Sequence, residues 1–172
     1  MGPDGATKPP ASKADMSDVA LANIDIDNEL HGFYIEDLDL GMTAVYAKTI
    51  TDADIVLFAG ISGDTNPLHL NSEFADGTRF EGRVAHGMLT ASFISAVIGT
   101  KLPGPGCIYM SQTIRWSAPV RAGDTVVARV TIKDIDRDKE HVLMDTVCSV
   151  ADIVVLEGEC LAKVPARADR KK

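Results

Sequence analysis

Between Gly87 and Gly99 the sequence GMLTASFISAVIG carries no charged residue and is apolar on nearly every side of a helix. A helix of that kind has little to offer water, so the rest of the chain must wrap around it. The residues that follow supply a wrapping. Ile108–Ser117, Asp124–Ile135, His141–Val150 and Ile153–Val164 are rich in Val, Ile, Thr and Leu with a period of two, and are separated by turn-forming stretches at 118–123, 136–140 and 151–152. Ahead of the helix, Thr43–Ile50 reads as another strand. Thr51 then offers a helix N-cap, with Asp52 and Asp54 in the first turn where the helix dipole favours negative charge, and predicts a helix from Asp52 to Ile61. A strand, then helices, then a four-stranded meander is an α+β order, for which the compact solution is an antiparallel β-sheet wrapped around a buried central helix. One helix leaves both sheet edges open, so pairing with a second copy as a homodimer or higher homo-oligomer is expected.

The 172-residue length suits one domain with a self-sufficient core. Residues 1–20 are rich in Gly, Pro, Ala, Ser and Asp and read as a flexible tail. The single domain is expected over 21–166, its folded part from about Tyr34 to Pro165, and 167–172 reads as a basic C-terminal tail. A net charge of −8 with no basic cluster around the motifs excludes a nucleic-acid footprint. An anionic ligand would need a local patch, for which Arg79, Arg83, Lys101 and Arg115 are candidates. Cys107, Cys148 and Cys160 are widely spaced and read as buried structural thiols in a reducing cytoplasm, with no disulfide framework and no metal-ligand spacing. No apolar run is long enough to cross a membrane, and no basic-then-apolar leader is visible.

The segment Phe58-Ala59-Gly60-Ile61-Ser62-Gly63-Asp64-Thr65-Asn66-Pro67-Leu68-His69 carries the chemistry. Gly63 to Pro67 has the composition of an irregular loop, and such a loop can fold a carboxylate and an imidazole onto one small volume. Asp64 and His69 would then hold a single water between them. Hydration of an activated double bond needs that pairing, because one proton leaves the water and another reaches the α-carbon. In Arg83-Val84-Ala85-His86-Gly87-Met88-Leu89, Gly87 opens the apolar helix with an unpaired backbone N–H, a donor for a carbonyl oxygen that gains charge in the transition state.

The stretch FAGISGDTNPLHLNSEFA, followed by FEGRVAHGMLTASFIS, resembles the signature of the MaoC-like (R)-specific enoyl-CoA hydratase family, or hydratase 2. That resemblance implies a hot-dog fold, and Asp64 and His69 as a catalytic pair that holds the attacking water. It also implies Gly87 as the oxyanion-hole amide, Ser62 and Asn66 as groups orienting the pair, and His86 as a loop-orienting or substrate-binding residue. The implied reaction is reversible syn addition of water to trans-2-enoyl thioesters, giving (R)-3-hydroxyacyl thioesters. Acyl-CoA would be the substrate, with no metal and no cofactor beyond its coenzyme A moiety, and the acyl chain would lie beside residues such as Leu57, Phe74, Phe80, Met88, Phe93 and Met110. Other readings on the same fold are a hydratase for a branched or dicarboxylic thioester or for an acyl carrier protein, and a non-catalytic acyl-thioester-binding module. Thioester hydrolysis fits less well, since the central helix bears no Asp or Glu.

Overall fold

The computed structural model describes residues 30–169; the sequence reading of 1–20 as a tail, and of the domain's first residues up to 29, lies outside them. Strand β1 (Thr43–Thr49) is followed by helix α1 (Asp52–Ser62) and two single-turn helices, α2 (Pro67–Leu70) and α3 (Ser72–Asp76). Then come the central helix α4 (Gly87–Thr100) and strands β2 (Ile108–Gln112), β3 (Arg115–Trp116), β4 (Thr125–Asp136), β5 (His141–Val150) and β6 (Ile153–Lys163). The sheet is antiparallel in the order β1-β4-β5-β6-β2, with β3 also paired to β6.

The period-two residues account for the sheet's inner face. Val126, Ala128, Val130 and Ile132 of β4 alternate with outward residues, and Val142, Met144, Thr146 and Cys148 of β5 do the same beside them. Against this surface α4 places Phe93, Ile94, Val97 and Ile98, all buried. Each fully buried aliphatic side chain contributes about 1.5–3 kcal/mol, which makes the helix–sheet layer the main source of stability. The expected wrapping is incomplete, however. Met88, Ser92, Ser95 and Gly99 are exposed and line up along one stripe of α4, so the helix offers a narrow face of mostly small residues outward.

Two sequence expectations about the sheet are corrected. Ile108–Ser117 is not one strand: Thr113 and Ile114 interrupt it. Neither is it the first leg of a meander, since β2 and β3 pair with β6 and not with β4. The residues after β3 form no hairpin. They cross the end of the sheet, bonding Ser117 N–H to Val155 O (2.9 Å), Ala85 N–H to Val120 O (2.7 Å) and Gly123 N–H to Ile50 O (2.8 Å). Three separate backbone partners thus deliver the chain to the far side of β5, where β4 starts.

The cysteines do not form disulfides. Cys148 and Cys160 lie in the core, where burial pushes each thiol up to about 12, while Cys107 is half-buried. The C-terminal end, read as a solvated tail from 167, folds back first. Arg167–Asp169 forms a 3-10 turn whose Arg167 pairs with Asp37 and lies over the Tyr34 ring.

Candidate active site

Helix α1 begins with the capping box expected of its sequence, Thr51 Oγ1 accepting from Asp54 N–H and Asp54 accepting from Thr51 N–H. It ends at Gly63, whose φ of 77° is left-handed and suits glycine alone at little cost. Ser62 Oγ donates to Phe58 O (2.7 Å) and accepts from Asp64 N–H (3.2 Å). Asp64 Oδ1 accepts from Asn66 N–H (3.2 Å), and Asn66 Oδ1 accepts from Leu68 N–H (3.0 Å), capping α2 with Pro67 in its first turn. Ser62 and Asn66 therefore fix the backbone on either side of Asp64, and His69 rides on the short helix that follows.

His69 Nδ1–H donates to Val84 O at 2.7 Å, which leaves Nε2 as the free ring nitrogen. That nitrogen lies 4.0 Å from Asp64 Oδ2. The gap is too long for a good direct hydrogen bond but fits one water bonded to both at about 2.8 Å. The Asp64 side chain is 53% exposed and that of His69 is 11% exposed, so the pair spans the boundary between solvent and interior.

His86 packs its ring on His69, centroids 3.8 Å apart, and on Phe58 at 5.1 Å. Its Nε2–H donates to Asp64 O (2.9 Å), and its Nδ1 is buried without a partner among the described residues. The ring therefore ties the Asp64 backbone to the start of α4. Asp64, His69 and His86 also bring one potential ligand atom each within 4.8 Å of one another, a grouping that the sequence spacing gave no sign of.

Gly87 is the first residue of α4, so its N–H has no acceptor within the helix. It opens on a cavity of about 290 Å³ that His69, Thr90, Trp116, Val120 and Val155 also line. Val155 reaches the cavity through a β-bulge: Cys148 faces Leu156 and Ser149 faces Val154, leaving Val155 as the extra residue. Of the residues expected to flank an acyl chain, Phe80 lines this cavity. Leu57, Phe74, Met88 and Met110 are exposed, and Phe93 is core, edge-on to Tyr46. Their apolar character is equally suited to a surface that a partner covers or to packing, and sequence cannot separate those uses.

The cationic candidates divide in the same way. Arg83 pairs with Asp52, Arg115 with Glu157, and Lys101 Nζ donates to Val45 O (2.6 Å). Arg79 stacks on Phe80 and lines the cavity, with no carboxylate partner among the described residues.

A sheet curled on one apolar helix, with a carboxylate and an imidazole beside the helix start, defines a hot-dog protein. The chain belongs to the MaoC-like family, whose MaoC like domain matches residues 38–152. Over 134 residues it is 54% identical to an (R)-specific enoyl-CoA hydratase of Rhodospirillum rubrum, covering 78% of this chain and 93% of the relative. It is 48% identical to a 3-hydroxybutyryl-CoA dehydratase of Methylorubrum extorquens, covering 82% and 90%. Among solved structures, an unliganded R-hydratase of Pseudomonas aeruginosa superposes with a TM-score of 0.75 at 39% identity, over 79% of this chain and 88% of that one. An (R)-hydratase of A. caviae involved in PHA biosynthesis gives 0.73 at 37% identity, over 76% and 99%.

Proposed function

We propose that this protein is a lyase that reversibly adds water to trans-2-enoyl thioesters, giving (R)-3-hydroxyacyl thioesters, with Asp64 and His69 as its acid/base pair and Gly87 as the amide that receives the thioester oxygen. The observation that carries this reading is the 4.0 Å separation of Asp64 Oδ2 and His69 Nε2 beside the free N–H of Gly87. A water held by both groups gives its hydroxyl to the β-carbon. The pair takes up the released proton and delivers another to the α-carbon on the same face, which makes the addition syn. Negative charge collects on the thioester oxygen meanwhile, and the helix N-terminus stabilises it. No step requires a cofactor beyond the coenzyme A carried by the substrate.

The experiment follows the enoyl-thioester absorbance band with crotonyl-CoA and longer homologues. Wild-type enzyme should bleach the band, and Asp64→Asn and His69→Gln should each lower kcat by roughly 10²–10⁴-fold while remaining folded. A wild-type enzyme that turns over no enoyl thioester of any length at high concentration defeats the reading. Arg79 at the cavity suits a coenzyme A phosphate, and its guanidinium would equally suit the far carboxylate of a dicarboxylic acyl group. A panel with and without that carboxylate separates the two uses.

Two exposed features favour a homodimer. Strand β2 is a sheet edge bearing Ile108 and Met110 outward, and α4 shows its stripe of mostly small residues. A second copy covers both without leaving an open apolar edge. Free thiols accord with a cytoplasmic location, and no helix among the described residues is long and apolar enough to cross a membrane. Cell fractionation tests the location directly.

A further inference from the structure

Trp116 is the chain's only tryptophan, and 48% of its surface is exposed. Its backbone is held firmly. Strand β3 pairs Arg115 with Glu157 and Trp116 with Leu156, and the next residue, Ser117, bonds to the bulged Val155. From this position the indole lies against Gly87. A Cβ built at that glycine would come within 2.6 Å of Nε1, 2.9 Å of Cε2 and 3.1 Å of Cδ1. The polar edge of the indole, and not its benzo ring, therefore faces the first residue of α4.

The indole Nε1–H is a donor only, and it meets no acceptor among the described residues. By standard covalent geometry the amide nitrogen of Gly87 is about 2.5 Å from its built Cβ, so the two nitrogens are separated by roughly 5 Å at most. A single oxygen about 2.9 Å from each can bridge donors that far apart. Thr90, one helical turn further in, lines the same cavity and is only 2% exposed, yet its hydroxyl has no partner among the described residues. The cavity is walled by polar groups at His69, Arg79 and Ser117 as well as by Ala85, Val120 and Val155, and within it the adjacent unpaired donors of Trp116 and Gly87 point to an oxygen on whatever fills it.

We propose that Trp116 is a further catalytic residue: its Nε1–H donates, together with the Gly87 amide, to the thioester carbonyl oxygen of the substrate. This rests on the hydration reading above. No bond to Trp116 forms or breaks. Its hydrogen bond strengthens as charge builds on the oxygen, so it acts mainly in the transition state.

Trp116→Phe keeps an aromatic shelf and deletes the donor. With crotonyl-CoA its kcat should fall roughly 10- to 100-fold while KM stays within about 3-fold of wild type. As the sole tryptophan, the wild-type residue also reports its own surroundings: saturation with butyryl-CoA, which has no double bond to hydrate, should shift or quench its emission. A Trp116→Phe enzyme with wild-type kcat overturns the donor role. If that variant does not fold, unchanged wild-type emission under butyryl-CoA saturation, established by calorimetry, overturns it instead. A wild-type enzyme inactive on every enoyl thioester defeats the hydration reading itself, which is a different result from an active wild type matched by its Phe variant.

Discussion

A methyl group at position 87 has nowhere to go, because the Trp116 indole already fills the place of a Cβ. Gly87→Ala should therefore push the indole off the helix start or shift the first turn of α4. A displacement of about 1 Å near reacting groups can cost on the order of 100-fold in rate, so kcat/KM should drop by at least about 10-fold, with circular dichroism and thermal unfolding nearly unchanged. The convergence of Asp64 and His69 beside Gly87 was legible because residue types and spacing favour a loop that folds back at this point. Ser62 and Asn66, implied as groups orienting the pair, bond to the backbone on either side of Asp64. His86 was only half legible, since a His before a helix-opening Gly does not say which carbonyl the ring will reach. Trp116 was not legible as a site residue because nothing in the linear order connects 116 to 87. The bulge at Val155 and the chain crossing over the sheet end bring the two together, and both depend on strand pairing that periodicity alone does not specify.

Helix α1 is anchored at its start by Asp54, which accepts from Lys48 and from both Thr51 groups. The Lys48 hydrogen bond, aided by Thr51, lowers the Asp54 carboxyl from 3.8 to about 2. A carboxyl that titrates lower when folded contributes stability above its unfolded value and loses it as pH falls through the folded one. Thermal midpoints of the wild type should thus fall between pH 4 and pH 2 more steeply than those of Asp54→Asn; parallel curves would exclude this contribution. Among the elements, the strands and both long helices were legible because hydrophobic period and cap residues agree. Helices α2 and α3 were not expected, although Asn66-Pro67 and Asn71 are ordinary cap signals. A turn and a single helical turn share that chemistry, and four or five residues are too few for a period to decide. The strand order failed for another reason: eight residues between β3 and β4 fit a loop between neighbours as well as the crossing that the chain makes.

At the scale of the whole molecule, the open edge at β2 sets the next expectation. Met110→Lys places a charge on an edge that otherwise presents Ile108 and Met110 outward. Light scattering should show the wild type as a dimer and this variant shifted toward monomer at low micromolar concentration; an unchanged dimer would place the contact elsewhere. The curled sheet was legible from one uncharged helix followed by alternating strands, whereas the helix's outward stripe was not, because a sequence without charges gives no hint of which side stays uncovered. The cavity beside Gly87 has one more implication. Its walls Ala85, Val120 and Val155 also belong to the packed interior, so the fold has no spare lining that can drift independently. Trimming Val155 to Ala to admit bulkier acyl groups would forfeit about 1.5 kcal/mol or more of stability, so lineages of this enzyme that broaden their diet are expected to vary first at the rim, around Leu68 and Phe80, where a change in taste leaves foldability intact.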